Sequence, residues 1–305
     1  MACLPHPIQY QGSKRNLSSE ILKFIPNKVN RLVEPFAGTA AISVAASARQ
    51  ISQVFWINDL NKPLVDLLEL IVENPDEIAD LYTYIWNEQH DDSVGHYYQI
   101  REKFNRTNKP SLFLYLLARC VKGAVRYNSD GLFNQSPDKR RKGTQPEKMR
   151  KNIEGVSKLL KGNCIFTRLD YRDVLSEVVN SDFVYIDPPY QGVCGQRDSR
   201  YFAGINFEDF VLSLEGLNRK GIAFAVSYDG KRGNKTFGNE LPRSLGLKKI
   251  EIQVGRSSQA TLLGKKEITV ESLYLSSALL NKYASNLDNY VSKAQKQFTV
   301  VECHA

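Results

Sequence analysis

The sequence predicts an α/β fold, a doubly wound, Rossmann-like sheet carrying an inserted, mostly helical lobe. Three observations lead there. Short apolar runs within Arg31–Ser43 and Val54–Asn61, and at Cys164–Thr167, Phe183–Ile186 and Gly221–Ser227, have the length and composition of buried strands. That rhythm stops in the middle of the chain, where helical patterns from Pro75 to Val121 and a polar, loop-rich stretch to about Pro146 replace it. A chain of 305 residues with 42% hydrophobic composition is also long enough to bury one large α/β core and a smaller lobe. The expected division is a discontinuous domain of residues 1–72 and 162–305, interrupted by an insert at 73–161.

Taken in order, Ile8–Leu17 (IQYQGSKRNL) sets Tyr10 and Lys14 around a Gly-Ser turn before an amphipathic helix. Lys14 suits a carboxylate, or is a solvated surface charge. Arg31–Ser43 (RLVEPFAGTAAIS) reads as a short strand, a small-residue turn at Ala37-Gly38 and a helix capped by Thr39. A glycine there lets backbone approach a ligand, and the helix that follows presents free N–H groups, although an ordinary strand-to-helix turn has the same pattern. The G-x-G-x-x-G pattern of dinucleotide enzymes is missing, which argues against a pyrophosphate ligand. Asp59 ends the next strand 21 residues after Gly38, about where an acidic residue binds ribose hydroxyls in doubly wound folds. It is equally placed to cap a helix beginning near Pro63. Beyond the insert, Asn206 caps a helix running through Leu217, and Leu247–Gly255 and Glu267–Ser276 read as two strands around a polar link. Gln191–Ala203, with Arg197, Arg200 and Tyr201, reads as a loop able to close over a ligand, and Tyr283–Phe298 as a terminal helix.

The tetrapeptide Asp187-Pro188-Pro189-Tyr190, leaving the strand Phe183–Ile186, carries the most specific chemistry. An exocyclic amino nitrogen is a poor nucleophile because its lone pair is delocalised into the ring. Asp187 and the Pro188 carbonyl can each accept one of its N–H bonds, and two prolines with fixed φ hold that backbone in place. Drawing both N–H bonds toward acceptors frees the lone pair for a methyl group, while Tyr190 offers a face for a stacked base. As a bare motif, Asp-Pro-Pro is also an ordinary way to end a strand.

Net charge is +8, which suits a polyanionic partner. The charge is concentrated: residues 101–165 hold 16 Lys or Arg against 5 Asp or Glu, leaving the rest of the chain net negative. Arg126, Tyr127 and Asn128 offer a phosphate binder, a stacking face and an amide able to read adenine. The run Lys139, Arg140, Arg141, Lys142 offers phosphate contacts, or is a solvated basic surface.

Other chemistries find little support. The five cysteines form no C-x-x-C pair and the four histidines lack ligand spacing, so neither a zinc site nor a disulfide scaffold is expected. No signal-peptide pattern opens the chain and no apolar run approaches the ~18 residues of a membrane span, so a metal-free cytoplasmic protein is expected.

The set Tyr10-Gln-Gly-Ser-Lys14, Glu34-Pro-Phe-Ala-Gly38, Asp59 and Asp187-Pro-Pro-Tyr190, in this order, resembles the Dam-type adenine-N6 DNA methyltransferases. The resemblance runs from about Ile8 to about Ser276. It implies S-adenosylmethionine as cofactor, duplex DNA as substrate, and a role in restriction–modification or as a solitary enzyme. It assigns Tyr10 and Lys14 to the cofactor's amino-acid end, Glu34, Phe36, Ala37 and Gly38 to the methionine-side turn, and Asp59 to the ribose. Asp170 and Tyr171 would meet the adenine ring, and Asp187 would lie at the transferred methyl. Arg126 to Pro137, including Asn134, resembles the family's DNA-contacting loop and hairpin. The basic tract from Asp138 to Gly143 departs from it, since Dam-type chains more often carry Gly and aromatic residues there. A cytosine amino-methyltransferase, an RNA- or protein-glutamine-modifying enzyme, and a non-catalytic DNA-binding protein on the same scaffold are the alternatives. Asp rather than Ser before Pro-Pro and the motif order weigh against the first, the Asn-Pro-Pro-Tyr pattern of such enzymes and the basic insert against the second, and the intact Lys14, Asp59, Asp187 and Tyr190 against the third.

Overall fold

Five strands run parallel: β1 (Arg31–Glu34), β2 (Val54–Asn58), β3 (Cys164–Thr167), β4 (Asp182–Ile186) and β5 (Ala223–Arg232). The structure is a computed structural model in which residues 4–189, 205–232, 235–237, 240–256 and 268–282 are described. Three more strands, β6 (Lys235–Phe237), β7 (Lys248–Arg256) and β8 (Ile268–Leu275), complete the sheet. The order is β3-β2-β1-β4-β5-β8-β7, with β6 paired to β5 and β8 antiparallel to both neighbours. After β3 the chain crosses back to lay β4 on the other side of β1. The topological switch point therefore falls between β1 and β4, where open α/β sheets hold their ligands at the carboxyl ends of the strands.

The central strands are apolar on both faces, and their side chains alternate between two cores. Leu32, Phe55, Ile57, Phe183 and Tyr185 face one, with α2 (Ala41–Ala48) and α3 (Lys62–Glu73). Val33, Trp56, Val184 and Ile186 face the other, with α8 (Tyr171–Glu177) and α9 (Phe207–Arg219). Arg31 fastens β1 to β4, its Nε and Nη2 donating to the two Asp182 carboxylate oxygens at 3.1 and 2.6 Å. Asn206 caps α9 as the sequence predicts, accepting from the Asp209 N–H at 2.9 Å.

The segment after Tyr10 differs from expectation. In place of an amphipathic helix it forms a 3-10 turn (Lys14–Asn16) and the single-turn helix α1 (Ser18–Ile21). In the middle of the chain come α4 (Pro75–Asn87), α5 (Ser93–Thr107), α6 (Pro110–Arg119) and α7 (Pro146–Leu160). Three of these helices start on proline, whose missing N–H is harmless in the first turn. Their apolar stripes extend the α2–α3 core outward through Tyr82, Phe104 and Phe113, the two phenylalanines stacking 4.8 Å apart. The apolar stripe of α7, Met149, Ile153, Val156 and Leu160, joins that core; Ser157 Oγ ties the helix to the Val72 carbonyl of α3 at 2.6 Å, and Ser47 Oγ of α2 donates to its Leu159 carbonyl at 2.6 Å.

Between α6 and α7, residues 120–145 are mostly irregular and their main chain is held from below. Tyr97 Oη donates to the Gln135 carbonyl, Asn105 bonds both the N–H and carbonyl of Phe133, and buried Arg119 donates to the Asp138 carbonyl. Gly123, at φ +60°, packs where a Cβ would come within 2.8–2.9 Å of the Gln9 and Tyr10 backbone, and its carbonyl accepts from Gln11 N–H at 2.9 Å. This loop is thus built against the N-terminal segment.

Candidate active site

The carboxyl ends of β1, β2 and β4 open into a cavity of about 370 Å³, within the size range of small-molecule sites. Tyr10, Lys14, Glu34, Phe36, Ala37, Gly38, Asp59, Asp170, Tyr171, Asp187, Pro188 and Pro189 all line it, so motifs spread over 180 residues of sequence meet in one place. Tyr190 and Gln191–Ala203 lie outside the described residues, as does Tyr283–Phe298.

Gly38 adopts φ +53°, which suits glycine, and its N–H donates to Asp59 Oδ2 at 2.9 Å. The other Asp59 oxygen accepts from Asn61 N–H at 2.9 Å, so this carboxylate ties the β1 turn to the β2 turn. It does not cap α3 directly; Asn61 occupies the N-cap position. Burial pushes the Asp59 carboxyl above its ordinary value, against the pull of the Asn61 and Gly38 N–H groups.

Thr39 does not cap α2. The N-cap is Ala40, in the left-handed region at φ 52°, and Thr39 Oγ1 pairs instead with Ser13 Oγ at 2.8 Å, joining the Gly-Ser turn to the β1 turn. One N–H of the first turn of α2 is satisfied by Glu34, whose Oε1 accepts from Ser43 N–H at 2.8 Å and Ser43 Oγ at 2.5 Å. Burial pushes the Glu34 carboxyl up to about 7; the Ser43 bonds oppose this and the Asp187 charge adds to it.

Phe36 and Tyr171 form an aromatic wall with ring centroids 5.0 Å apart. Asp170 caps α8 and is forked by Arg172, whose guanidinium holds the carboxyl below its usual range.

At the end of β4 the structure departs from a simple reading of Lys14. Its ammonium is buried and lies 2.8 Å from Asp187 Oδ1 and 2.7 Å from Glu271 Oε1. It is not a solvated charge: it meets two carboxylates of the protein itself, and it also lines the cavity. Burial works against this charge, but Asp187 and Glu271 outweigh it and hold Lys14 well above its ordinary value. Asp187 is itself pushed up to about 6 by burial, with Glu271 adding and Lys14 opposing. Among the described residues nothing bonds Asp187 Oδ2, which leaves an acceptor at the cavity wall.

The middle-segment residues divide. Arg126, Asn134, Lys139, Arg140 and Arg141 are exposed. Tyr127 is not the expected exposed stacking face: it is buried against Phe133, lines the cavity, and its Oη donates to Asn61 Oδ1 at 3.3 Å. Asn128 spends its side-chain oxygen on the N–H groups of Asp130 and Leu132, at 3.0 and 2.8 Å, closing its own turn. Its amide is committed to the hairpin as the structure stands.

Sequence reasoning missed Asn61, Ser43 and Glu271. The first two carry no signal beyond polarity. Glu271 had one: an acid in the otherwise apolar run ITVESLYL has to be compensated if the strand is buried.

Residues 10–255 match the family of D12 class N6 adenine-specific DNA methyltransferases. The chain is 27% identical over 272 residues to the type II methyltransferase M1.LlaDCHI of Lactococcus lactis subsp. cremoris, covering 84% of this chain and 91% of that protein. It is 26% identical to a DNA adenine methylase of Haemophilus influenzae, over 81% of this chain and 85% of the relative. A retron Ec67 DNA adenine methylase of Escherichia coli is 29% identical over 61% of this chain and 63% of its own length. The family match begins at Tyr10 on the cavity wall and runs past Asp187, so it takes in nearly every residue described above: the chain belongs to the D12 class of N6 adenine-specific DNA methyltransferases.

Proposed function

We propose that the cavity binds S-adenosylmethionine and that Asp187 and the Pro188 carbonyl receive the amino group of an adenine rotated out of duplex DNA. The observation that carries this is the Asp187 carboxylate at the switch point, oriented by Lys14 through one oxygen and facing the cavity with the other. The residues present fit the cofactor: an acid at the end of β2 for ribose hydroxyls, an aromatic wall for a base, and a volume of about 370 Å³. Tyr10, Glu34, Phe36, Ala37, Gly38, Asp59, Asp170 and Tyr171 would hold it, and bound there it supplies an electrophilic methyl group. Lys14 is assigned to orienting Asp187 in place of the cofactor carboxylate.

Asp187 accepts one amino N–H and the Pro188 carbonyl the other. Holding both N–H bonds toward fixed acceptors moves the nitrogen toward tetrahedral geometry, so its lone pair leaves conjugation with the ring and is directed at the methyl. Once the nitrogen carries the methyl, the surplus proton passes to Asp187 or to water. Pro188 and Pro189 hold the backbone acceptor fixed, so it does not reorganise during the reaction. Tyr190 is assigned the stacking face for the base.

Residues 73–161 are assigned to target recognition. Support comes from the +11 balance of residues 101–165 and from the exposure of Arg126, Lys139, Arg140 and Arg141 on a loop whose main chain is held by α5 and α6. We place the enzyme in the cytoplasm with its DNA, in a restriction–modification or solitary role, any cognate endonuclease acting as a separate protein. The test is incubation of the purified protein with duplex DNA and S-adenosylmethionine, followed by nucleoside mass spectrometry. N6-methyladenine is expected; N4-methylcytosine, or no methylated base, would overturn the reading.

A further inference from the structure

We propose that Glu271 is a positioning residue for the reaction: it shares the Lys14 ammonium with Asp187 and so keeps Asp187 a strong acceptor for the target amino group. This rests on the reading of Asp187 given above. Glu271 lies on β8, opposite Gly230 of β5, where the register of the two strands shifts between Ser227 and Gly230. The Lys14 Nζ sits between the carboxylates, 2.7 Å from Glu271 and 2.8 Å from Asp187, with side-chain exposures of 8% for the lysine and 14% and 19% for the acids. Glu271 does not line the cavity, and among the described residues its contact toward Asp187 runs through Lys14.

The charge count explains the need for a second acid. With Lys14 alone, Asp187 would belong to a neutral pair, its negative charge drawn toward the ammonium and away from the substrate. With Glu271, these three side chains sum to −1, and Lys14 orients Asp187 while sharing its charge with a second acid. Among the described residues, the other titratable groups around the cluster include Tyr185 on β4, whose Oη is 2.7 Å from Ser227 Oγ, and Glu34 on β1. Burial pushes the Asp187 carboxyl up and Glu271, linked to it by the shared cation, adds to that, while Asp187 in turn pushes Glu34 up.

The experiment is single-turnover methylation of a duplex substrate from pH 5 to 8, for wild type, Glu271→Gln, Lys14→Met and Asp187→Ala. The glutamine keeps a carbonyl oxygen for Lys14 but loses the charge. Its acid limb should move down by about 0.5–2 pH units, the range set by one charge removed across an ammonium at intermediate to high effective dielectric. Its plateau rate should fall, and its S-adenosylmethionine affinity should stay within about twofold of wild type. Lys14→Met reads the same network with the opposite sign: Asp187 loses its cation and keeps the Glu271 repulsion, so the limb of the residual activity should move up. Should the glutamine variant not fold, the double variant Lys14→Met/Glu271→Gln carries the test: its limb should lie below that of Lys14→Met, and coincident limbs would overturn the role of Glu271. Acid limbs unmoved in the folded variants, with Asp187→Ala inactive, would overturn the role of Glu271 and leave the reaction reading intact. Activity retained in Asp187→Ala would overturn the reaction reading first.

Discussion

Replacing Asp59 with alanine probes the cofactor half of the site. The carboxylate accepts from Gly38 N–H and Asn61 N–H, both at 2.9 Å, and faces the cavity. Its loss unpins the two turns that frame it and, on the proposed reading, removes the acceptor for the ribose hydroxyls. Hydrogen bonds to charged groups contribute about 1.5–3 kcal/mol each, but water in the open cavity recovers part of that for the hydroxyls. The net loss should be about 1–3 kcal/mol, or roughly 5- to 150-fold in Kd for S-adenosylmethionine. Isothermal titration calorimetry reads the affinity, and saturating cofactor should restore most of the turnover. A variant that melts earlier but binds S-adenosylmethionine as tightly as wild type would refute the reasoning. It would reduce Asp59 to a brace between two turns.

Three further outcomes follow from the same geometry. Neutralising Lys139, Arg140 and Arg141, which are exposed, should weaken binding to every DNA sequence alike and flatten the salt dependence by roughly 0.9 log unit per lost phosphate contact, measured by anisotropy across a salt series. Arg126→Ala should instead cost roughly 1–3 kcal/mol of discrimination at one base position with a smaller change in non-specific affinity, read on single-substitution duplexes. Glu34, whose folded carboxyl titrates near 7 against an ordinary 4.5, contributes stability that is fully present below about 4.5 and is lost as pH rises through 7. Relative to Glu34→Gln, wild type should therefore lose about 3 kcal/mol between pH 4.5 and 8 in urea melts, and parallel curves for the two proteins would contradict this.

The sheet was legible because strands buried on both faces, such as Phe183–Ile186, leave continuous apolar runs that side-chain alternation cannot mask. The site was legible where chemistry needs a residue type at a strand end: Gly38 for its positive φ, Asp59 and Asp187 for their carboxylates. What a side chain does with its polar atoms was not legible when the answer lay far away in sequence. Thr39 looks like a helix cap until Ser13 is beside it, and Lys14 suits a carboxylate without saying which until β4 and β8 bring Asp187 and Glu271 to it. Tyr127 reads as an exposed ring within RYNSD, but packing against Phe133 and Asn61 turns it inward. The helix α7, which begins where the polar stretch ends, drew no reading of its own because only one stripe, from Met149 to Leu160, is apolar, and its packing surface is supplied by α2 and α3.

The central claim is that Asp187 activates the amino nitrogen. Single-turnover methylation by Asp187→Ala, at saturating S-adenosylmethionine and DNA, tests it most directly. Losing one preorganised contact to the reacting centre typically costs ~100- to 1000-fold, and a residue holding the nucleophile should cost at least that, with folding and much of the DNA affinity preserved. A variant that folds, binds DNA and forms N6-methyladenine at the wild-type single-turnover rate would contradict the account.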